Sequence, residues 1–138
     1  MSTHLKEKVE KIEQIIAKLA EETAKNKPIV VEGKKDAQAL IDLGVRGKVL
    51  TVKTGGKSFL EATTEIEKLH NPQIILLLDF DRRGREGTKR LKCDLERLKI
   101  KVNLRFWKDL RGLTGHENQF IESLPNYLQT LREKAQAL

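Results

Sequence analysis

This sequence contains few of the residues that stabilise small or secreted folds through covalent links or a rigid backbone. Its 138 residues include one cysteine, Cys93, and only three prolines. A single cysteine can form neither an internal disulfide nor a cysteine-rich zinc site. We expect Cys93 to act as a small apolar residue, with a reactive thiol as the alternative. A chain of this length with 38% hydrophobic residues can instead rely on an ordinary hydrophobic core.

Long apolar runs are also missing. The longest run extends only from Ile74 to Leu78, whereas a membrane-spanning helix needs about 20 apolar residues. The first residues, Met1 to Lys8, show no apolar stretch of the signal-peptide type. We therefore expect no membrane association and a cytoplasmic location.

Acidic residues are fewer than basic ones, which gives a net charge of +7. Charged residues make up 34% of the chain. The excess follows residue 81, where the basic residues are Arg82, Arg83, Arg85, Lys89, Arg90, Lys92, Arg97, Lys99, Lys101, Arg105, Lys108 and Arg111. Such a field attracts polyanions such as RNA or DNA. The alternative is a solubility surface of the kind that heat-adapted proteins carry. The position of the cluster beside carboxylates favours nucleic acid.

What the sequence does contain is a regular alternation of helix and strand patterns. An amphipathic helix is predicted over residues 3–25, with Pro28 just beyond its end. Strands are predicted at 29–32, 48–52, 73–78 and 102–106, the last because Val102, Leu104 and Phe106 alternate. The remaining helices are predicted at 36–43, 58–69, 82–99 and from Pro125 onward, with a loop at 112–115. This order indicates an α/β fold with a mostly parallel, four-stranded central sheet flanked by helices.

Three carboxylates follow two of the predicted strands. Glu32 ends the first strand, and Asp79 and Asp81 follow the third. The carboxyl ends of parallel strands meet at one edge of a sheet, which is where such folds bind ligands. Two aspartates two residues apart point the same way if the strand continues, and their like charges call for a cation. Mg²⁺ prefers such oxygen ligands, with Glu32 as a third ligand or as a general acid/base.

Basic residues surround these carboxylates in the sequence. We expect the following to contact phosphate groups: Lys34, Lys35, Lys57, Arg82, Arg83, Arg85 and Arg90. Lys57 follows the turn Gly55–Gly56, whose backbone N–H groups can form an anion-binding concavity. Gly84 would let the chain turn sharply into a helix whose N-terminus favours anions.

The two acidic motifs and the glycine turn resemble those of the Toprim superfamily. The matching segments are 30–36 (VVEGKKD), 54–56 (TGG) and 78–84 (LDFDRRG), and the chain looks most like the small stand-alone primase-like Toprim proteins. The resemblance implies a Toprim (Rossmann-like) domain over residues 28–110. Residues 1–27 would form an N-terminal helix packed on that domain, and residues 111–138 a C-terminal helical extension.

The same resemblance implies roles for residues. Glu32 would serve as general acid/base, and Asp79 and Asp81 would hold Mg²⁺, with Mn²⁺ as a substitute. Members of the superfamily make or break phosphodiester bonds or merely bind nucleic acid. The lone tyrosine, Tyr127, lies on an apolar helical stripe, which indicates packing and not the nucleophile of a topoisomerase.

Three further side chains are weaker candidates. Trp107, predicted just past the fourth strand, either stacks on a base or packs at the core. His116 and Glu117 follow a glycine-containing segment from which they could approach the acidic site.

Three functional hypotheses remain open. The first is a Mg²⁺-dependent enzyme, a nuclease or a primase-like nucleotidyltransferase, acting on RNA or DNA. The second is a non-catalytic nucleic-acid-binding module. The third is an accessory subunit of a DNA- or RNA-processing complex whose terminal helices contact a protein partner.

Overall fold

The computed structural model describes residues 2–52 and 56–137, and the side chains of residues 2 and 56–58 lie outside this description. The predicted turn at 54–56 and the side chain of Lys57 therefore fall largely beyond what is described. The helices are α1 (Ser2–Ala24), α2 (Lys34–Asp42), α3 (Gly56–Lys68), α4 (Arg82–Arg97), α5 (Arg105–Thr114) and α6 (Leu124–Gln136). The strands are β1 (Ile29–Val31), β2 (Val49–Thr51), β3 (Gln73–Leu76) and β4 (Lys101–Asn103). A 3-10 turn at Ile121–Ser123 precedes α6.

The four strands form one parallel sheet in the order β2-β1-β3-β4. Ile29 lies opposite Val49 on one side and Ile75 on the other. The N–H of Leu77 donates to the carbonyl of Val30 at 2.9 Å, so β1 also pairs with the residue that follows β3. The predicted α/β class is confirmed, and the neighbouring positions of β1 and β3 bring their carboxyl ends side by side.

Helices cover both faces of the sheet. On one face, Val31 and Leu77 pack with residues of α1, α2, α5 and α6 in a single buried cluster. On the other face, Val30 and Leu76 pack with residues of α3 and α4. Burial on both faces explains why β1 and β3 read as continuous apolar runs and not as alternating ones.

The predicted fourth strand is wrong beyond residue 103. β4 ends at Asn103, and Phe106 lies in α5 instead of alternating along a strand. The side chain of Asn103 accepts the N–H of Arg105 at 2.9 Å, which turns the chain into the helix. Phe106, Trp107 and Leu110 then form the buried side of α5. The loop predicted at 112–115 is accordingly wrong as well, because α5 continues to Thr114.

The terminal helices contact each other. α1 packs against α5 and α6, and its apolar residues Val9, Ile12 and Ile16 belong to the same buried cluster as Leu128 and Leu131 of α6. The apolar stripes of these helices are therefore used within the fold. Among the described residues, no helix combines the length and apolarity that crossing a bilayer requires.

Candidate metal centre

Glu32 is half-buried between the end of β1 and the start of α2. The next residue, Gly33, precedes α2, and its N–H donates to the Asp36 carboxylate at 2.9 Å. This bond within the first turn ties the helix start to the strand end. Glu32 is thereby positioned at the carboxyl edge of the sheet.

Asp79 and Asp81 lie on the segment that joins β3 to α4. Asp79 is 8% exposed, and its Oδ1 accepts the N–H of Ile121 at 2.8 Å. Asp81 is the N-cap residue of α4, and its Oδ1 accepts the N–H of Gly84 at 2.9 Å. Each aspartate therefore has one oxygen committed to the backbone and a second oxygen that can serve a ligand.

Gly84 makes this arrangement sterically feasible. A Cβ atom at this position would lie 2.0 Å from the carbonyl oxygen of Asp79, well inside the closest approach that atoms tolerate. The backbone of α4 can approach Asp79 this closely only because residue 84 has no side chain. The sequence predicted a sharp turn at Gly84, whereas in the structure Gly84 lies inside α4 and glycine is needed there for close approach.

The structure brings the three predicted carboxylates together. Glu32, Asp79 and Asp81 each offer an oxygen, and these oxygens all lie within 4.8 Å of one another. Burial, together with the negative charge of Glu32, raises the pKa of Asp79 to about 7. Burial likewise raises the pKa of Glu32, whose carboxyl group lies in hydrogen-bonding contact with Asp79. The pair therefore tends to retain a proton that a bound cation would replace.

This donor set fits a hard divalent cation. All three groups supply oxygen, and neither sulfur nor imidazole belongs to the cluster. Carboxylate oxygens suit Mg²⁺ and Mn²⁺. Like charges at this separation, in a partly buried place, are costly until a cation compensates them.

Two further acids lie beside the cluster. Asp36 is buried, and this burial together with the negative charge of Asp79 raises its pKa to about 6. Asp36, Glu32 and Asp79 line a cleft of about 450 Å³ together with Glu122. In the sequence, Asp36 closes the motif segment 30–36, and its spacing from Gly33 suits a helix start. Glu122 comes from the segment before α6, and no local pattern relates that segment to the strand ends.

The predicted phosphate-binding residues lie in several places. Lys34 and Lys35 are exposed and line the acidic cleft. Arg82 and Arg83 are exposed in the first turn of α4, where Arg82 bonds Glu86 at 3.1 Å.

Two other predicted arginines lie apart from this cleft. Arg85 lines a different pocket. Arg90 lies more than two turns along α4 from Asp81 and is 5.1 Å from the ring of Phe59, as a cation–π contact. The structure thus brings only part of the predicted set to the carboxylates.

Trp107 does not face solvent. It is buried, its indole N–H donates to the carbonyl of Leu78 at 2.9 Å, and its ring packs against Phe80. The packing alternative for Trp107 is therefore correct. Its contacts fasten α5 to the segment that carries the two aspartates.

Glu117 belongs to a different network. Its carboxylate accepts hydrogen bonds from Lys8 Nζ and from the Tyr127 hydroxyl, each at 2.6 Å. These contacts link α1, α6 and the segment between α5 and α6. The acid from this part of the chain that lines the cleft is Glu122.

Comparisons with known proteins agree with this geometry. A Toprim-like family model matches residues 29–112. The chain is 38% identical over 120 residues to a UPF0292 protein of Methanocaldococcus jannaschii, covering 86% of this chain and 91% of that protein. It is 30% identical over 129 residues to a UPF0292 protein of Methanosarcina barkeri, covering 94% of this chain and 88% of that protein.

A solved structure of an Aquifex aeolicus protein shares the fold. The TM-score is 0.65 at 22% sequence identity, covering 80% of this chain and 94% of that chain. At this identity the likeness concerns the fold alone. The resemblance seen in the sequence motifs is confirmed, and the chain belongs to the Toprim-like family, with UPF0292 proteins among its relatives.

Proposed function

We propose that this protein binds Mg²⁺, or Mn²⁺ in its place, and cleaves or transfers phosphodiester bonds in nucleic acid. The proposal rests mainly on one observation. Carboxylate oxygens of Glu32, Asp79 and Asp81 lie within 4.8 Å of one another at the ends of two adjacent strand segments. Such a cluster is unfavourable without a cation, and family membership supports metal and nucleic-acid chemistry at this edge of the sheet.

Each residue of the site has a role in this proposal. Asp79 and Asp81 hold the cation, which when bound would neutralise charge that develops on a phosphate. Glu32 acts as the general acid/base, since its raised pKa brings proton exchange closer to neutral pH. Lys34 and Lys35 bind the phosphates of the nucleic acid at the rim of the cleft.

Cleavage is the form of this chemistry that we favour. Hydrolysis needs only water as its second substrate, whereas primer synthesis needs a site for nucleoside triphosphates as well. A non-catalytic nucleic-acid-binding module, or an accessory subunit, is the alternative that the experiment must separate from an enzyme.

The test uses pure protein and end-labelled RNA and DNA, single- and double-stranded, with Mg²⁺, Mn²⁺ or EDTA. We expect cleavage that requires the metal. Glu32→Gln should slow it by about 100-fold or more, the usual range for a general acid/base, and leave affinity nearly unchanged. Glu65→Gln, the same change at an exposed acid of α3, is the matched control and should have no effect.

Other outcomes discriminate between the hypotheses. Binding of nucleic acid without any metal-dependent cleavage would support the non-catalytic module. Parallel loss of affinity and cleavage in Glu32→Gln would contradict the acid/base role. Extension of a primer in the presence of nucleoside triphosphates would replace cleavage with primase-like synthesis.

A further inference from the structure

A second, basic pocket lies beside the acidic cleft. It has a volume of about 320 Å³, and its lining includes Arg85, Lys108, Arg111 and His116. None of the described carboxylates lines it. Within the described chain, these two arginines and this lysine form no salt bridge, although Arg82 and Arg105 on the same helices pair with Glu86 and Asp109. The pocket therefore concentrates positive charge that the described part of the protein does not neutralise.

The pocket and the acidic cleft share one backbone segment. Phe80, which lines the pocket, lies between Asp79 and Asp81, and its N–H donates to the carbonyl of Gln119 at 2.7 Å. The pocket therefore adjoins the backbone segment that carries both aspartates.

Arg111 is oriented by the same structure. Its guanidinium group lies 5.3 Å from the ring centre of Trp107, as a cation–π contact. Trp107 is in turn bonded to Leu78, the residue that precedes Asp79. A cation held in this way loses little conformational freedom when it binds an anion.

The basic surface continues across α5. Lys108 and Gly112 also line a groove of about 480 Å³ between α1 and α5. The other cations of this groove are Lys11, Lys18 and Arg105, of which Arg105 pairs with Asp109, an acid that also lines the groove. We call the pocket and the groove together the α5 path. Its lining includes Arg85, Lys108, Arg111, Lys11 and Lys18, which is enough cations to contact more than one phosphate.

Phe120 adds an exposed aromatic ring at the edge of the acidic site. Its side chain is 43% exposed and its backbone is extended, with φ −119° and ψ 130°. Side chains alternate along extended backbone, and Ile121 is fully buried, so Phe120 projects away from the core. Both neighbours are fixed, since Gln119 bonds Phe80 and Ile121 bonds Asp79.

We propose that the α5 path and Phe120 bind a single-stranded segment of nucleic acid next to the acidic site. The inference rests on the proposed function and deepens it by naming the form of the substrate. The cations of the path contact successive phosphates, and Phe120 stacks on an unpaired base. Bases in a duplex are already stacked on each other, so only an unpaired base offers its face to an aromatic side chain.

The first test places a charge in the path without removing any native contact. A Cβ atom at Gly112 would have no neighbouring atom within 4 Å, so a side chain there points into open space. Gly112→Glu and Gly112→Gln have nearly the same size and differ in charge. We expect Gly112→Glu to bind a fluorescent single-stranded oligonucleotide about tenfold more weakly than Gly112→Gln, because like charges then meet. Equal affinities of the two variants would contradict binding of nucleic acid along the α5 path.

The second test concerns the base. Phe120→Ala should weaken binding of a single strand by about fivefold or more, whereas Phe120→Tyr should retain it. Leu60→Ala removes an apolar side chain of 69% exposure on α3 and should change nothing. Affinity for a blunt duplex should be lower than for the single strand and should not respond to Phe120→Ala. A duplex that binds as tightly and responds equally would overturn the proposal.

These measurements are made in EDTA, so they do not depend on the metal chemistry. If single strands bind as expected but nothing is cleaved with Mg²⁺, only the proposed enzyme function fails. If cleavage occurs but the two Gly112 variants bind equally well, only the proposed binding along the α5 path is contradicted. Displacement of the oligonucleotide by polyglutamate at equal charge concentration would point to an acidic protein partner and would also overturn the proposal.

Discussion

At the scale of single residues, each aspartate of the site serves the fold and the cation with different oxygens. Asp79 accepts the N–H of Ile121, and Asp81 accepts the N–H of Gly84. Replacement by alanine therefore removes a structural acceptor as well as a charge. Asparagine keeps the acceptor and removes the charge, so Asn variants test the metal and Ala variants test the fold.

Asp81 allows the two roles to be separated. We predict that Asp81→Ala lowers the free energy of unfolding by about 1 kcal/mol, because α4 loses its N-cap. Asp81→Asn should change it by only a few tenths, since asparagine caps helices equally well. Urea unfolding in EDTA measures both variants. Equal destabilisation by Ala and Asn would show that the charge, and not the cap, is what matters to the fold.

Gly84 and Gly112 form a second pair for comparison. We predict that Gly84→Ala destabilises the protein by about 3 kcal/mol, because its Cβ would overlap the backbone of Asp79. Gly112→Ala should instead stabilise it by about 0.5–1 kcal/mol, the usual gain in a helix with free space. Thermal unfolding of both variants provides the measurement. A Gly84→Ala protein of ordinary stability would contradict the close approach of α4 to Asp79.

At the scale of elements, the segment from α5 to α6 completes the site that the strands begin. Trp107 of α5 bonds Leu78, and residues 119 and 121 bond the backbone of Phe80 and the carboxylate of Asp79. The two aspartates are thus held from the C-terminal side of the sequence as well as by β3 and α4. Substitutions in α5 should therefore affect the position of the two aspartate carboxylates.

Trp107→Phe tests this connection. The variant keeps most of the apolar packing but leaves the buried carbonyl of Leu78 without its indole donor, which should cost about 1–2 kcal/mol of unfolding free energy. Phe120→Leu, an exposed aromatic on the adjoining segment, should cost much less. Denaturant unfolding distinguishes them. Similar small effects from both would mean that α5 is not fastened to the β3 segment in this way.

Elements differ in how well the sequence predicts them. β1 and β3 were predictable because strands buried on both faces are continuous apolar runs bounded by turn residues. β4 and α5 were confused because Val102, Leu104 and Phe106 alternate like a strand, while Phe106, Trp107 and Leu110 suit a helix. The deciding contact, from Asn103 to the N–H of Arg105, involves a local bond that apolar periodicity does not report.

The same distinction applies to the site. Glu32, Asp79 and Asp81 could be placed together in advance because each follows a strand in a parallel sheet. Phe120 and Glu122 could not, since their position depends on how the chain between α5 and α6 returns to the sheet. That return is a tertiary contact between residues far apart in sequence.

At the scale of the whole molecule, the folded chain gathers acids at one edge of the sheet within a protein of net charge +7. Folding therefore imposes an electrostatic cost that a cation can relieve. The stability of the protein should depend on pH and on the divalent metal together.

We predict that the acidic cluster destabilises the metal-free protein as pH rises. Folding raises the pKa of Asp36 to about 6 and of Asp79 to about 7, above the value near 4 for unfolded aspartate. These groups bind protons more tightly in the folded state, so their stabilising contribution is full below about pH 4 and is lost as pH rises through 6 to 7. Melting temperatures in EDTA between pH 5 and pH 8 should fall less for Asp79→Asn than for the native chain. Identical pH profiles would contradict this prediction.

Metal should reverse the effect where the acids are ionised. At pH 8, Mg²⁺ at about 100 times its dissociation constant should add about 2.7 kcal/mol to the free energy of unfolding. At pH 5 the same concentration should add much less, because a proton then competes with the cation for Asp79. Asp79→Asn combined with Asp81→Asn should remove the response at both pH values.

The central claim is that Glu32, Asp79 and Asp81 form one cation site, and an NMR titration of the ¹⁵N-labelled protein with Mg²⁺ tests it most directly. We predict saturable shifts of the amides of Gly33, Gly84 and Ile121, which adjoin the three carboxylates, and no such shifts in the Asp79→Asn, Asp81→Asn double variant. Amides that do not respond to Mg²⁺, or that respond equally in the double variant, would contradict the site.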